Sequence, residues 1–160
     1  MQPRLKKFLA GLGLVSAACV PGSDLPPPTF PVQHTETEWR QMLSPEQYRV
    51  LRGAGTELAC SGVLHDHRGL GTYHCVGCGN LLFRSPEKFD SGTGWPSYFQ
   101  PATPQSVGTR IDTSHGMVRT EVHCARCGGH LGHLFEDGPA PTGLRYCINS
   151  VVLEFRGDPP

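Results

Sequence analysis

Residues 75–78 read Cys-Val-Gly-Cys and residues 124–127 read Cys-Ala-Arg-Cys, and these two short segments decide how the chain folds. A Cys-x-x-Cys turn directs two sulfurs at one ion, so two such turns supply the four thiolates of a closed tetrahedral zinc site. Sulfur then fills every coordination position and leaves none for water, which predicts a structural rather than a catalytic Zn²⁺. The predicted zinc ligands are Cys75, Cys78, Cys124 and Cys127.

Glycines follow both turns and give the backbone freedom to fold around an ion, with Gly79 after the first turn and Gly128 after the second. The alternative is a pair of disulfides, which an exported chain would permit. Cysteines so close in sequence bridge with difficulty outside a redox motif, however. Zinc is therefore the favoured interpretation of the four cysteines.

A solitary cysteine follows the second turn in the segment Arg145-Tyr146-Cys147-Ile148-Asn149. Because the metal already has four ligands, the Cys147 thiol is left free for chemistry, and we predict that it is a reactive nucleophile. Arg145 lies two residues earlier, on the same face of a strand, where its charge favours the thiolate. Taken by itself, Cys147 is also compatible with an inert buried thiol.

Two histidines lie just beyond the second Cys-x-x-Cys turn, in His130-Leu131-Gly132-His133. Histidines at this spacing are more often surface or hydrogen-bonded residues than catalysts. A metal-bound turn would anchor the segment rigidly, however, and a reactive cysteine needs an imidazole that removes or delivers a proton. We therefore predict that His130 and His133 belong to the same site as Cys147.

An aromatic turn lies between the two cysteine pairs, at residues 90–99, Asp-Ser-Gly-Thr-Gly-Trp-Pro-Ser-Tyr-Phe. Its glycines do not form a phosphate-binding loop, because neither a strand-to-helix context nor a lysine follows. Trp95, held between Gly94 and Pro96, is rigid enough to form one wall of a small apolar pocket. A tryptophan of the hydrophobic core is the alternative interpretation.

Periodic helical patterns are scarce, and the 20 glycines and 15 prolines favour short strands joined by turns. Apolar residues at helical spacing predict two short helices within residues 34–51, with a helix start at residues 44–47. The alternation of Val118, Thr120 and Val122 with polar residues predicts a strand with one buried face. The predicted strands are residues 72–75, 80–83, 117–122 and 148–155.

The N-terminus is typical of an export signal, with basic residues, an apolar run at residues 8–15 and small residues that suit a cleavage site. Cys19 follows those small residues, at the position of the lipidated cysteine of a bacterial lipoprotein. We expect an exported, periplasmic protein whose only contact with the membrane would be a lipid anchor at Cys19. Ser16 departs from the usual aliphatic residue of the lipoprotein motif, so ordinary signal-peptide cleavage without lipidation is one alternative, and a cytoplasmic protein with a disordered tail is another. The predicted boundaries are a signal peptide at residues 1–18, a proline-rich tether at residues 19–32 and one folded domain at residues 33–156.

The formal net charge of the 160 residues is zero. No overall electrostatic field therefore attracts nucleic acid or an acidic membrane, and we predict no nucleic-acid partner.

Five segments together closely resemble the methionine-R-sulfoxide reductases of the B type, in that family's order and across most of residues 34–155. The resemblance implies a mainly β fold of two antiparallel sheets, tent-like or barrel-like, with short N-terminal helices and a zinc site remote from the active site. It also implies the reaction, a thiol-dependent reduction of protein-bound methionine-R-sulfoxide to methionine that repairs oxidative damage. The five segments are residues 75–78, 91–97, 119–122, 130–139 and 144–150.

The resemblance assigns roles to the residues singled out above. Cys147 would attack the sulfoxide sulfur and become a sulfenic acid, while His130 and His133 would assist proton transfer to the oxygen. Trp95 would pack against the substrate methyl group. The residues that orient the site and balance its charge would be Asn149, Arg145 and Asp137.

The chain departs from a common family pattern in how the sulfenic acid is removed. Many members carry a second cysteine in the Ser-Gly-x-Gly-Trp turn, where this sequence has Thr93. Cys60 is the only unassigned cysteine within the predicted domain, so we predict that it forms a disulfide with Cys147. A thioredoxin-like donor would then reduce that disulfide in a monomeric enzyme. The alternative is a bystander Cys60, with recycling by an external thiol.

Three other functions share parts of this pattern. A zinc-ribbon binding module would use the four cysteines without Cys147, and it would need a basic or aromatic binding face. A Cys-His-Asn hydrolase would need an oxyanion hole and no redox partner such as Cys60. A zinc hydrolase built on His130 and His133 would lose activity as soon as the metal is chelated, whereas a structural zinc is lost with the fold.

Overall fold

The computed structural model describes residues 29–159, which form two short helices followed by two antiparallel β-sheets. The mainly β fold with N-terminal helices predicted from the sequence is confirmed. Within residues 29–159, no helix is long and apolar enough to cross a bilayer. The predicted signal segment, Cys19 and most of the predicted tether lie outside the described residues.

The two helices are α1, Glu36–Met42, and α2, Pro45–Leu51, and both begin with a capping box. In α2 the Ser44 hydroxyl accepts a hydrogen bond from the Gln47 backbone N–H, and the Gln47 side chain accepts one from the Ser44 backbone N–H. Such reciprocal bonds satisfy donors that the first turn leaves unpaired, which is why a helix starts at the predicted position. Trp39 of α1 is only 1% exposed and anchors the helices to the core.

The smaller sheet has three antiparallel strands, with β1 in the centre. Its strands are β1, Gly71–Cys75; β2, Leu81–Arg84; and β9, Leu153–Gly157.

The larger sheet has six antiparallel strands in the order β3-β4-β8-β7-β6-β5. Its two central strands, β7 and β8, meet in the middle of the domain. The strands are β3, Lys88–Phe89; β4, Ser97–Tyr98; β5, Val107–Asp112; β6, Arg119–Cys124; β7, His130–Phe135; and β8, Arg145–Ile148.

Aromatic side chains join the two sheets in the core. The rings of Phe83 from β2 and Tyr98 from β4 stack with their centroids 4.2 Å apart, and Tyr73 from β1 meets Tyr98 edge-on at 5.3 Å. All three side chains are fully buried. Because aromatic rings remove large apolar areas from water, these contacts hold the sheets against each other.

The prediction of one continuous strand at residues 148–155 is wrong: its two ends belong to β8 and β9, and between them the chain turns through a 3₁₀ segment at Ser150–Val152. The backbone N–H groups of Ser150 and Val151 donate to the carboxylate of Glu57, at 2.5 Å and 2.9 Å. These two N–H groups therefore cannot donate to a neighbouring strand. The strand ends here, and the chain passes from the larger sheet to the smaller one.

The predicted strand at residues 117–122 is shifted, and its predicted buried face is only partly correct, since Val122 is fully buried but Val118 is not. The strand begins at Arg119, and Val118 is 79% exposed. Glu121, predicted to face solvent, is only 6% exposed because it forms ion pairs with Arg110 and His130. Charge pairing therefore overrides the apolar alternation in this strand.

Candidate active site

The four paired cysteines converge, as predicted, into a cluster whose sulfurs all lie within 4.8 Å of one another. The Sγ atoms of Cys75 and Cys127 are 3.8 Å apart, and those of Cys78 and Cys124 are 3.5 Å apart. A tetrahedral ion with metal–sulfur bonds of about 2.3 Å requires sulfur separations of about 3.8 Å, so the cluster fits such an ion. The disulfide alternative is wrong, because a disulfide needs sulfurs about 2 Å apart.

The two Cys-x-x-Cys turns share one backbone geometry. The N–H of Gly79 donates to the carbonyl of Cys75 at 2.8 Å, and the N–H of Gly128 donates to that of Cys124 at 2.9 Å. Both glycines have φ of +68°, a conformation that side chains disfavour. The Asn80 side-chain amide also donates to the sulfur of Cys124, at 3.6 Å. The local sequence thus aims each pair of sulfurs at a common centre.

A separate cavity of about 110 Å³ opens beside Cys147. Its walls include four of the residues that the sequence singled out, and the cavity is partly open to solvent. This volume accommodates several non-hydrogen atoms, enough for the end of one side chain. The four predicted residues that line it are Cys147, His133, Asn149 and Trp95.

Strand pairing explains why these residues meet. His133 on β7 lies directly opposite Cys147 on β8. The strands can approach closely because residue 132 is glycine: a Cβ at Gly132 would lie 1.9 Å from the carbonyl oxygen of Cys147. The pairing of β6 with β7 shifts register between Val122 and His123, as at a β-bulge. The shift helps to bring the imidazoles of His130 and His133 together, with ring centroids 5.3 Å apart.

The Cys147 thiol is partly buried and has no disulfide partner. Burial raises its pKa above the usual value, because the thiolate loses hydration. The neighbouring Arg145 guanidinium and the Thr93 hydroxyl act in the opposite direction and lower this pKa. The predicted effect of Arg145 on the thiolate has the expected sign, but burial outweighs it and the resting sulfur is a thiol.

Arg145 is held in place by a bidentate ion pair with Asp137. Its Nε and Nη2 donate to the two carboxylate oxygens at 2.8 Å and 2.9 Å, and the pair raises the pKa of Arg145 and lowers that of Asp137. The guanidinium also lies over the ring of Phe135, 4.3 Å from its centroid. Arg145 and Asp137 thus lie together beside Cys147, although neither lines the cavity.

His133 has a carboxylate partner that the sequence did not predict. Its Nε2 lies 2.7 Å from Oδ2 of Asp112, and the same oxygen accepts a hydrogen bond from Arg119 at 2.9 Å. Hydrogen bonds from Ser114 and His133 hold the pKa of Asp112 well below its usual range. Burial lowers the pKa of His133, and the bond to Asp112 only partly compensates. The imidazole is therefore neutral at pH 7.

His130 lies behind His133 and does not line the cavity. It is 3% exposed, and its Nδ1 is bonded to the carboxylate of Glu121 at 2.8 Å. Burial opposes ionisation of Glu121, but hydrogen bonds from His130 and Arg110 prevail and lower its pKa to about 2. The Nε2 of His130 is buried without a hydrogen-bond partner among the described residues.

Trp95 and Asn149 are fixed by the segment that precedes Cys60. The indole Nε1 of Trp95 donates to the backbone carbonyl of Glu57 at 3.2 Å, and the Asn149 side-chain oxygen accepts from the backbone N–H of Glu57 at 2.9 Å. The Asn149 amide nitrogen donates to the carbonyl of Leu131 at 2.9 Å. Trp95 is partly exposed and lines the cavity, so it is not a core tryptophan.

Cys60 is exposed, is not disulfide-bonded and lies outside the cavity lining. Its backbone N–H donates to the carbonyl of Gly94 at 2.8 Å, and a Cβ at Gly94 would lie 2.7 Å from its sulfur. Cys60 itself has φ of +62°, an uncommon conformation for a residue with a side chain. The turn that carries Thr93 beside Cys147 is thus in contact with Cys60.

Sequence reasoning missed several residues of this region. Asp112 and Glu121 are the carboxylate partners of the two histidines, and no role was predicted for either. Asp112 lies on β5, outside the five segments of the resemblance, and Glu121 lies on β6, within the segment of residues 119–122. Their positions relative to the histidines follow only from the strand order β7-β6-β5 of the larger sheet. Glu57 falls in a segment without regular structure. The missed polar residues are Thr56 and Arg119, which line the cavity; Glu57 and Asp112, which bond its lining; and Glu121, which bonds His130.

Comparison with known proteins identifies the family of this chain. The sequence model described as the SelR domain matches residues 43–157. The chain is 55% identical over 126 residues to "Peptide methionine sulfoxide reductase MsrB" of Synechococcus sp. (strain RCC307), which covers 79% of this chain and 93% of that protein.

Proteins of the same name from two other bacteria are similarly close. The one from Thiobacillus denitrificans is 60% identical over 121 residues, covering 76% of this chain and 92% of that protein. The one from Bradyrhizobium diazoefficiens is 62% identical over 121 residues, covering 75% and 86%. Because the SelR-domain model matches most of the chain, and the alignments cover nearly the full length of these relatives, the chain belongs to the SelR-domain family of MsrB peptide methionine sulfoxide reductases.

Proposed function

We propose that this protein reduces the R epimer of methionine sulfoxide in proteins to methionine, with Cys147 as the nucleophile. The observation that carries the proposal is the single cavity that gathers a free thiol, an imidazole, an amide and an indole ring. The names of the relatives supply the substrate class, a methionine sulfoxide within a peptide.

The reaction transfers one oxygen atom from the substrate sulfur to the sulfur of Cys147. A sulfoxide sulfur is a poor electrophile until its oxygen is protonated or hydrogen-bonded. The Cys147 sulfur attacks the substrate sulfur and forms an S–S bond, while the thiol proton moves to the sulfoxide oxygen. The resulting hydroxyl group then transfers to the Cys147 sulfur, as the S–O bond of the substrate and the new S–S bond both break. Methionine leaves and Cys147 becomes a sulfenic acid, so the substrate sulfur gains the two electrons that the cysteine sulfur loses.

His133 is the residue best suited to move the proton. It is neutral at pH 7, and its Nε2–H donates to Asp112, which leaves Nδ1 unprotonated. A neutral imidazole opposite a protonated Cys147 thiol can accept the thiol proton and deliver it to the sulfoxide oxygen. Asp112 stabilises the imidazolium that forms between these two steps.

His130 assists the same proton transfer through His133. The His130 ring is bonded to Glu121, and the centroids of the His130 and His133 rings are 5.3 Å apart. His130 therefore packs against His133 rather than against the substrate. In this proposal His130 keeps His133 in the correct orientation and excludes water from behind it.

The remaining residues bind and orient the substrate. Trp95 packs against the substrate methyl group, since its ring forms an apolar wall of the cavity. Asn149 holds the polar sulfoxide group from the opposite wall. Arg145, with Asp137 as its counter-ion, stabilises negative charge on Cys147 during attack.

Recycling proceeds through Cys60. The Cys60 thiol condenses with the Cys147 sulfenic acid, which forms a disulfide and releases water. Contact between Cys60 and the turn at Gly94 supports this role, because the same turn carries Thr93 beside Cys147. A thioredoxin-like dithiol then reduces the disulfide and restores both thiols. We expect the enzyme to act as a monomer.

The cysteine cluster holds a structural Zn²⁺ in this proposal. The sulfur separations and the two glycine turns fit a tetrahedral ion, and the four sulfurs leave no coordination position for substrate. Bound zinc would tie β1 to β6 and so stabilise the sheets that carry the active site.

We also propose that the N-terminal segment exports the protein to the periplasm and that Cys19 carries the lipid. The basic start and the apolar run of residues 8–15 support this location. Expression with the native leader, followed by cell fractionation, tests it. Recovery of the protein with cytosolic markers would overturn it.

The test of the catalytic proposal is thiol-driven reduction of peptide-bound methionine sulfoxide by the full chain, with the R and S epimers compared. We expect turnover of the R epimer alone and its complete loss in Cys147→Ser. The exposed pair Arg156 and Glu154 supplies a control, since Arg156→Met should leave turnover unchanged. Folded, metal-loaded protein that fails to reduce either epimer would refute the proposal.

A further inference from the structure

Glu57 is a buried carboxylate whose hydrogen bonds all lead to the active-site end of β8. It is 5% exposed and does not line the cavity. Its side-chain oxygens accept hydrogen bonds from the backbone N–H groups of Ser150 and Val151, at 2.5 Å and 2.9 Å. These residues lie directly after Asn149, so the carboxylate fixes the chain just beyond the active-site strand.

The backbone of the same residue bonds two cavity walls. The N–H of Glu57 donates to the Asn149 side-chain oxygen at 2.9 Å, and the carbonyl of Glu57 accepts from the Trp95 indole N–H at 3.2 Å. Glu57 is therefore bonded, through side chain and backbone, to both of the cavity walls that the proposed reaction uses to hold substrate. Thr56, its chain neighbour, also lines the cavity.

The carboxylate is the part of this arrangement that a substitution can remove. Without the carboxylate, the two backbone N–H groups would lie in a largely buried site with no acceptor. Each unsatisfied donor would destabilise the folded state by about 1–3 kcal/mol. The chain at Ser150 would shift to find water or another acceptor. The Glu57 backbone would move with it, since the side chain would no longer tie it to the 3₁₀ turn at Ser150–Val152.

We propose, given the reductase function proposed above, that Glu57 is a positioning residue that holds Asn149 and Trp95 in register with Cys147. It touches neither substrate nor the reacting sulfur. Its effect on the reaction passes through Asn149 and Trp95. The catalytic contribution of those two residues depends on small displacements, because oriented groups lose their advantage when misplaced by about 1 Å.

The test compares full-length Glu57→Ala and Glu57→Gln with the wild type in two assays. The first is single-turnover formation of methionine from a saturating R-sulfoxide peptide, and the second is alkylation of Cys147 by iodoacetamide. Iodoacetamide needs the thiol but neither Asn149 nor Trp95. In Glu57→Ala we expect turnover to fall by about tenfold or more, while alkylation stays within about twofold of the wild type.

Glu57→Gln keeps one acceptor oxygen and the side-chain shape, so its turnover should lie between those of the wild type and Glu57→Ala. This variant also provides the measurement if Glu57→Ala does not fold. Leu43→Ala is a control for lost stability, because Leu43 is buried at the end of α1 and contributes nothing to the cavity. We expect its turnover to match the wild type at a temperature where it is folded.

A double-mutant cycle decides whether Glu57 acts through its partner. If it does, Glu57→Gln should slow turnover by a smaller factor in the Asn149→Ala background than in the wild type, because one of its two coupled residues is already gone. Fully additive losses, a parallel fall in alkylation, or wild-type turnover in both Glu57 variants would overturn the proposal. Wild-type turnover of the R epimer tests the proposed function separately, so the two failures can be told apart.

Discussion

The pKa of Cys147 should respond in opposite directions to the two halves of the Arg145–Asp137 ion pair. Arg145 lowers this pKa, whereas Asp137 raises it. Arg145→Met removes the cation but keeps a side chain that packs on Phe135. Asp137 loses its partner, but its carboxylate is largely exposed and can be hydrated by water instead. The fold should therefore survive, and the pKa of Cys147 should rise.

The size of the change follows from the surroundings of the guanidinium. An opposite charge within about 4–6 Å shifts a pKa by about 1–3 units. The lower end applies here, because Asp137 already neutralises part of the charge and water enters where the guanidinium was. A rise of about 1 unit equals about 1.4 kcal/mol and reduces the thiolate fraction about tenfold at a pH below the pKa.

The assay is the pH dependence of iodoacetamide alkylation, followed by mass spectrometry of the peptide that contains Cys147. Asp137→Asn should lower the pKa by less than Arg145→Met raises it, since Asp137 acts from further away and in solvent. Arg156→Met, in an exposed pair on β9, should change nothing. An unchanged or lower pKa in Arg145→Met, or a rise in both variants, would refute the electrostatic reasoning.

Three further predictions follow from single positions. Gly94→Ala and Gly92→Ala both place a side chain at a positive φ, but only Gly94→Ala places a Cβ 2.7 Å from the Cys60 sulfur. The disulfide between Cys60 and Cys147 should therefore form more slowly in Gly94→Ala alone, as measured by titration of free thiols after one turnover. Glu121 has a pKa of about 2, below its ordinary 4.5, so it stabilises the fold above pH 4.5 and this contribution is lost as pH falls toward 2. The difference in unfolding free energy between wild type and Glu121→Gln, measured by urea denaturation, should thus shrink by about 1.4 kcal/mol per pH unit below pH 4.5, and a constant difference would contradict it. Cys124→Ser should release bound zinc and lower Tm strongly, whereas Cys147→Ser should change neither; retention of one equivalent of zinc would argue against the four-cysteine site.

Short-range signals predicted the parts of the fold that depend on neighbouring residues. The capping sequence at Ser44 and Gln47 marked α2, and the Cys-x-x-Cys turns marked the metal cluster, because each signal encodes its own local geometry. The strands of residues 107–112 and 130–135 gave no such signal. They contain polar residues on both faces, and Arg110, Asp112, His130 and His133 meet their ion-pair partners only once the six-stranded sheet has formed.

The candidate site divides in the same way. Cys147, His133, Asn149 and Trp95 could be predicted because each lies in a motif with its own chemical meaning. Asp112 could not, since its contact with His133 depends on β6 lying between their two strands. The break at Ser150–Val152 was missed for a similar reason: its cause is Glu57, which lies more than 90 residues earlier.

The central claim is that the sulfoxide oxygen is transferred to Cys147, and a rapid-mixing experiment tests it most directly. Cys60→Ser protein, which lacks the proposed resolving thiol, is mixed with excess methionine-R-sulfoxide peptide without any external thiol, and is quenched with a sulfenic-acid trap. We predict one methionine formed per protein, with one trapped sulfenic acid on Cys147 appearing at the same rate. Methionine formed without modification of Cys147, or modification at another cysteine, would contradict the mechanism.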